Sequence, residues 1–173
     1  MARQVLWLWR LGFRDPDPAV SRGVHVPEQP GKVSPMYDRL LLAVDNSDAA
    51  GPVIDAAREL ASLSDGEVWV LHVREKEVMP RGGFFTIESG GQAQSVVERA
   101  SKELDDAGIK AHYELRHTIY GQAAHEIVAA ARAHDADVIV MGSRGRSDLT
   151  ALMLGSTAHK VIHLSDRPVL VVR

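Results

Sequence analysis

From Met36 onward, apolar and polar positions fall into short blocks that switch between a two-residue and a 3.6-residue period. Arg39-Leu-Leu-Leu-Ala-Val44 is a nearly unbroken apolar run, as expected of a strand covered on both faces. Asp45-Asn-Ser-Asp48 then supplies short side-chain oxygens, suited to a turn and to the free N–H groups of a helix start. Val53, Ala57, Leu60 and Ala61 share one helical face, and Ser64-Asp-Gly66 ends that helix. Glu67–Val73 reads as the second strand, and 74–91, with Gly82-Gly83 and Gly90-Gly91, as a loop. A helix with Val97, Ala100, Leu104 and Ala107 inward follows, closed by Gly108. Ala111–Thr118 reads as a third strand, Gln122–His134 as a third helix (Ala124, Ile127, Val128 and Ala131 inward) and Asp137–Met141 as a fourth strand. Ser156–Leu164, with Ala158, Val161 and Ile162 inward, predicts a fourth helix before the last strand, Pro168–Val172. Strict alternation of strand and helix implies right-handed crossovers and an α/β fold, a parallel sheet with helices on both faces.

Composition narrows the class. The 173 residues are 45% hydrophobic and 25% charged, with a net charge of −3 and no cysteine. Disulfides, thiolate metal sites and cysteine nucleophiles are thereby excluded. Mild acidity argues against a nucleic-acid grip driven by bulk charge. No apolar run approaches the ~20 residues of a membrane span, so a cytoplasmic protein with no nucleic-acid or membrane partner is expected. Residues 1–35 differ from the rest, holding five basic residues, three acidic residues and five of the eight prolines. Their apolar stretch, Val5-Leu-Trp-Leu-Trp9, is shorter than the ~7–15 residues of a signal-peptide core. The expected organisation is a flexible Pro-rich extension, 1–35, ahead of one domain, 36–173. A second Met at position 36 also fits a start codon placed too early.

In open parallel sheets, ligands sit beyond the carboxyl ends of the strands. The first strand ends at Asp45. The fourth runs into Gly142-Ser-Arg-Gly145, then nine residues, then Gly155-Ser-Thr157. Glycine lets backbone N–H groups approach a phosphate closely. A helix opening at Gly155-Ser-Thr would add a positive dipole end, and the Ser156 and Thr157 hydroxyls would add donors. Taken singly, Gly142 reads as a turn, Gly155 as a helix cap and Ser156 as an N-cap; together they read as a phosphate cradle. It is neither a Walker A loop nor G-x-G-x-x-G. Arg144 and Arg146 suit either a phosphate clamp or a solvated loop. His159 and His163 lie at i, i+4, but Lys160 stands where a zinc-helix motif wants Glu, and no metal site is expected. Arg116-His-Thr118 lacks the aspartate a phospho-receiver site needs at the third strand's end. G-x-S-x-G is absent too, and no catalytic residue is assigned.

Residues 36–173 resemble the ATP-binding type of the universal stress protein family. The resemblance rests on Tyr37-Asp-Arg-Leu-Leu-Leu-Ala-Val-Asp45-Asn-Ser47, Val70-Leu-His-Val73, Ala136-Asp-Val-Ile-Val-Met-Gly142, the G-x2-G-x9-G-[S/T] pattern from Gly142 to Ser156, and Asp166-Arg-Pro-Val-Leu-Val-Val172. It implies a single open five-stranded parallel sheet of order 3-2-1-4-5, Rossmann-like and similar to the adenine nucleotide alpha hydrolases. It implies that Ala43 and Asp45 meet the nucleoside, with Asp45 on a ribose hydroxyl, and that Val73 receives the adenine through its backbone. Met141, Gly142, Arg144 and Gly145 would line the ribose and phosphates, and Gly155, Ser156 and Thr157 the phosphate tail. Asn46 departs from the Gly common after the aspartate, but it also tolerates left-handed backbone angles.

The implied ligand is ATP, with or without Mg2+ or Mn2+, and the implied role a nucleotide-dependent regulator of the stress response, hydrolysing ATP slowly at most. The alternatives are a dimeric interaction scaffold that binds no nucleotide, or a binder of another adenine nucleotide. In the implied order Val169–Val172 is an apolar edge strand, open to pairing. The resemblance points to a homodimer there, against a fold-back of the tail bearing Trp7 and Trp9. The 82–91 loop is expected to be a lid or a tether.

Overall fold

Six strands and four helices lie among the residues that the computed structural model describes, which are 37–47, 50–80, 82–86, 88–144 and 154–173. The 1–35 extension lies outside them, as do Gly145 and Arg146. In chain order the elements are β1 (Arg39–Ala43), α1 (Ala50–Ser64), β2 (Glu67–Val78), β3 (Phe84–Phe85), α2 (Gly90–Asp106), β4 (Ala111–Ile119), α3 (Ala123–Ala133), β5 (Val138–Gly142), α4 (Ser156–Leu164) and β6 (Val169–Val172).

The five parallel strands lie side by side as β4-β2-β1-β5-β6. Counting parallel strands only, this is the expected 3-2-1-4-5. The sheet nevertheless differs from the expectation in detail, because β3 adds a sixth, antiparallel strand against Glu77 and Val78. The expected loop 74–91 is shortened from both sides. β2 runs on to Val78, its charged 74–76 stretch paired with His117–Ile119 of β4.

Alternation along β1 divides the core into two layers. Leu40 and Leu42 pack with α1 and α2, and Leu41 packs with α3 and α4. All three leucines are fully buried, each contributing about 1.5–3 kcal/mol. Two expected inward positions face out. Ala107 is the exposed C-cap of α2, and Ile162 is 44% exposed. Among the elements, α4 packs mainly on α3 and the edge strand β6, so a narrow stripe of Ala158 and Val161 is enough to hold it.

The amino ends of the strands are pinned by polar contacts. Asp137 accepts hydrogen bonds from the backbone N–H groups of Asp38 (2.8 Å) and Arg39 (2.9 Å). Gly66 passes so close to β1 that a Cβ there would stand 2.7 Å from the Tyr37 carbonyl oxygen. The carboxyl ends are thereby held in register, and the ligand-facing chemistry lies there.

Candidate functional site

Register brings the two chemical strand exits together. Ala43 of β1 pairs with Met141 of β5 on one side and with Leu71 of β2 on the other. Beyond β1, Asp45 turns the chain, its Oδ1 accepting from Ser47 Oγ (2.5 Å) and from the Ser47 N–H (3.3 Å). Short side-chain oxygens make such local turns readily. Beyond β5, Ser143 donates its N–H to the Val172 carbonyl and accepts from the Gly155 N–H, both at 2.7 Å. This second bond ties the Gly142 turn to the start of α4.

Each glycine of the described cradle has a physical reason. A Cβ on Gly142 would stand 3.0 Å from the Arg144 carbonyl oxygen and 3.5 Å from Val53 Cγ2. Gly155 is the N-cap of α4, at φ −61° and ψ 151°, and, having no side chain, it makes no side-chain cap hydrogen bond. The N–H groups of its first turn are left for solvent or a ligand. The opposite arrangement holds at α3, where the Glu75 carboxylate accepts from the N–H groups of Gly121 (2.8 Å) and Ala123 (3.1 Å).

These groups line one cavity of about 360 Å³, within the usual range for small-molecule sites. Of the ten residues expected to meet nucleotide, Ala43, Asp45, Val73, Met141, Gly142, Arg144, Gly155, Ser156 and Thr157 all line it. Gly145 lies outside the described residues. His72, Glu75, Glu88 and Tyr120 also line the cavity and were not singled out from sequence. His72 carried a signal, being the one ionisable side chain in an otherwise apolar strand stretch. Glu88 carried none, since its contact with His72 spans 16 positions of chain.

His72 and Glu88 are both buried. His72 Nε2 lies 2.6 Å from Glu88 Oε1, and Nδ1 lies 2.9 Å from the Val44 carbonyl oxygen. Arg74 holds the Glu88 carbonyl through Nε (3.1 Å) and Nη2 (2.8 Å), and donates to Thr86 Oγ1 (3.0 Å). His117, opposite Arg74 on β4, has its imidazole pKa pushed below 6.5 by partial desolvation and by the charges of Lys76 and Arg74. A second cleft, of about 430 Å³, lies at the amino ends of the strands. Its basic groups are already paired: Lys110 reaches Glu67 at 2.6 Å, and Arg39 reaches Glu67 and Asp135. The larger cleft is therefore the weaker candidate, lacking convergent free donors.

Fold and site together define an α/β protein with a cavity at the carboxyl ends of its central parallel strands. A sequence profile of the universal stress protein family matches residues 36–173. Universal stress protein YxiE of Bacillus subtilis is 35% identical over 153 residues, covering 80% of this chain and all of that one. A solved universal stress protein from Archaeoglobus fulgidus superposes with a TM-score of 0.64 at 29% identity, over 79% of this chain and 99% of that one. A structure of an Archaeoglobus fulgidus universal stress protein in complex with dAMP gives a TM-score of 0.60 at 28% identity, over 80% and 99%. The chain belongs to the universal stress protein family. No helix among the described residues is long and apolar enough to cross a membrane.

Proposed function

We propose that the crevice binds an adenine nucleotide, ATP foremost, and that the chain acts as a nucleotide-dependent regulator of the stress response in the cytoplasm. The observation that carries this reading is the convergence on one cavity of Asp45, the Gly142 turn and the uncapped start of α4. Bare amides at a helix N-terminus suit a polyphosphate, and Asp45 suits a sugar hydroxyl. The relative in complex with dAMP supports adenine as the base. In this reading Ala43 and Val73 flank the nucleoside, Met141, Gly142, Arg144 and Gly145 line ribose and phosphates, and Gly155, Ser156 and Thr157 take the tail. A Mg2+ or Mn2+ would come with the phosphates, Ser156 and Thr157 offering hydroxyl oxygens. With Asp45 committed to the sugar, any hydrolysis is slow.

Isothermal titration of the full chain with ATP and Mg2+ tests the reading. Saturable binding at one site per chain is expected, with dAMP competing. An absence of binding to either ligand would favour the alternative, an interaction scaffold that uses no nucleotide. The assembly that goes with the regulator is a homodimer through β6, whose Val169–Val172 backbone lies at the sheet edge.

A further inference from the structure

Tyr120 departs from what a large aromatic residue usually does, being 65% exposed while lining the cavity. An exposed ring forfeits the stability that burial would give, so the turn that carries it should be slack unless other contacts fix it. Such contacts are present on every side. The Tyr120 N–H donates to the Lys76 carbonyl at 2.9 Å, and the Gln122 N–H donates back to the Ile119 carbonyl at 3.2 Å. Between them Gly121 takes φ +84°, a left-handed value that glycine adopts freely at the third position of a turn. Glu75 accepts from the Gly121 N–H at 2.8 Å, and Lys160 of α4 donates to the Gly121 carbonyl at 3.2 Å. Three elements, β2, β4 and α4, therefore hold one short turn, and an exposed aromatic residue stands on it.

Its place in the sheet order gives that residue a use. The cavity-lining residues run from Tyr120 just past β4, through Val73 of β2 and Asp45 just past β1, to Gly142 of β5. Two strands thus separate Tyr120 from the glycine turn. The chemistry at its end suits a flat, uncharged group better than a phosphate. The N–H groups of Gly121, Gln122 and Ala123 are already engaged, by Glu75 and by the Ile119 carbonyl. Val73, Ala123 and Ile127 supply apolar lining. An aromatic face beside such lining is what a nucleobase stacks on.

We propose that Tyr120 is the base-stacking residue of the site, its ring taking one face of the nucleobase while the phosphates lie at the start of α4. This rests on the nucleotide reading above and adds to it the residue that grips the base. The anchored turn holds the residue in place before the ligand arrives, so little freedom is lost on binding.

Titration calorimetry with ATP and Mg2+ on the full chain, Tyr120→Ala and Tyr120→Phe tests it, together with proton NMR of the unaltered protein. Tyr120→Ala is expected to weaken ATP binding about fivefold to a hundredfold. Tyr120→Phe, which keeps the ring, is expected to bind as the unaltered chain does. The Tyr120 ring protons, identified by their absence from the Tyr120→Phe spectrum, are expected to move upfield on saturation with ATP, as protons over a stacked base do. This readout is taken on the unaltered protein, so it decides the matter even where Tyr120→Ala fails to fold. Unchanged affinity in Tyr120→Ala, an equal loss in Tyr120→Phe, or stationary ring signals under saturating ATP would overturn the role of Tyr120 and leave the nucleotide reading standing. No ATP binding to the unaltered chain would overturn both.

Discussion

Replacing Gly142 with alanine places one methyl group where the cavity floor is tightest. The new carbon would meet the Arg144 carbonyl oxygen at 3.0 Å and Val53 Cγ2 at 3.5 Å. The second distance is an ordinary contact. The first is with backbone, which must move by a few tenths of an ångström. Gly142 is not among the positive-φ glycines, so alanine adds no φ strain and stiffens the unfolded chain, a gain of about 0.4–1 kcal/mol. Overpacking opposes this with about 1–3 kcal/mol, and the expected net loss of stability is about 0–2.6 kcal/mol. The displaced carbonyl follows Ser143, whose own carbonyl accepts from Gly155. The shift therefore reaches the start of α4, and ATP affinity is expected to fall at least about tenfold, or ~1.4 kcal/mol. Urea denaturation and titration calorimetry on the same preparation measure both quantities. Adding Val53→Ala should not restore binding, because the clash is with backbone. Unchanged affinity in Gly142→Ala, or recovery in the double variant, would refute the assignment of that clash.

Other expectations follow from the same geometry. Gly155→Val should abolish ATP binding in calorimetry while leaving circular dichroism unchanged, because valine can adopt φ −61°, ψ 151° at the N-cap. In the proposed homodimer through β6, Leu170→Lys, at an edge-strand residue that is 39% exposed, should shift the sedimentation of the chain from dimer to monomer in analytical ultracentrifugation. Acid should destabilise the fold in two stages. The His117 pKa is lowered from 6.5 by partial desolvation and by Lys76 and Arg74, so its contribution is complete above 6.5 and is lost as pH falls through the folded value. Glu67 is held below 4.5 by its Lys110 hydrogen bond. Glu114 is also held below 4.5, burial there being outweighed by Arg116 and His134 together. Both contributions are lost below 4.5. A thermal midpoint that drops just under pH 6.5 in the unaltered protein, but later in His117→Gln, would confirm the first stage.

The parts of the fold legible in sequence are those where one local pattern has one structural meaning. Leu40-Leu-Leu42 reads as a buried strand because both faces are covered, and Ser156–Leu164 has the bounds expected of it. Arg74-Glu-Lys-Glu77 reads as loop because charged residues crowd it. It is strand because β4 runs beside its first three residues and β3 pairs with Glu77, an arrangement no local window contains. The glycine cradle was legible because its spacing depends on one strand, one turn and one helix start. The His72–Glu88 contact was not, since a loop and a hairpin separate the partners and only the tertiary fold brings them to 2.6 Å. Ile162 was expected inward because helical periodicity reveals a stripe but not how wide a neighbour covers it.

Glu75 has an effect that extends past the helix it caps. Both α3 and α4 begin with residues that line the crevice, and the carboxylate of Glu75 already answers the first. At the start of α4 the N-cap glycine has no side chain to answer the positive pole. The crevice is thus electrically lopsided, and a guest with its charge concentrated at one extremity has a lower energy facing one way than the other. The carboxylate of Glu75, set at the start of α3, contributes to that polarity.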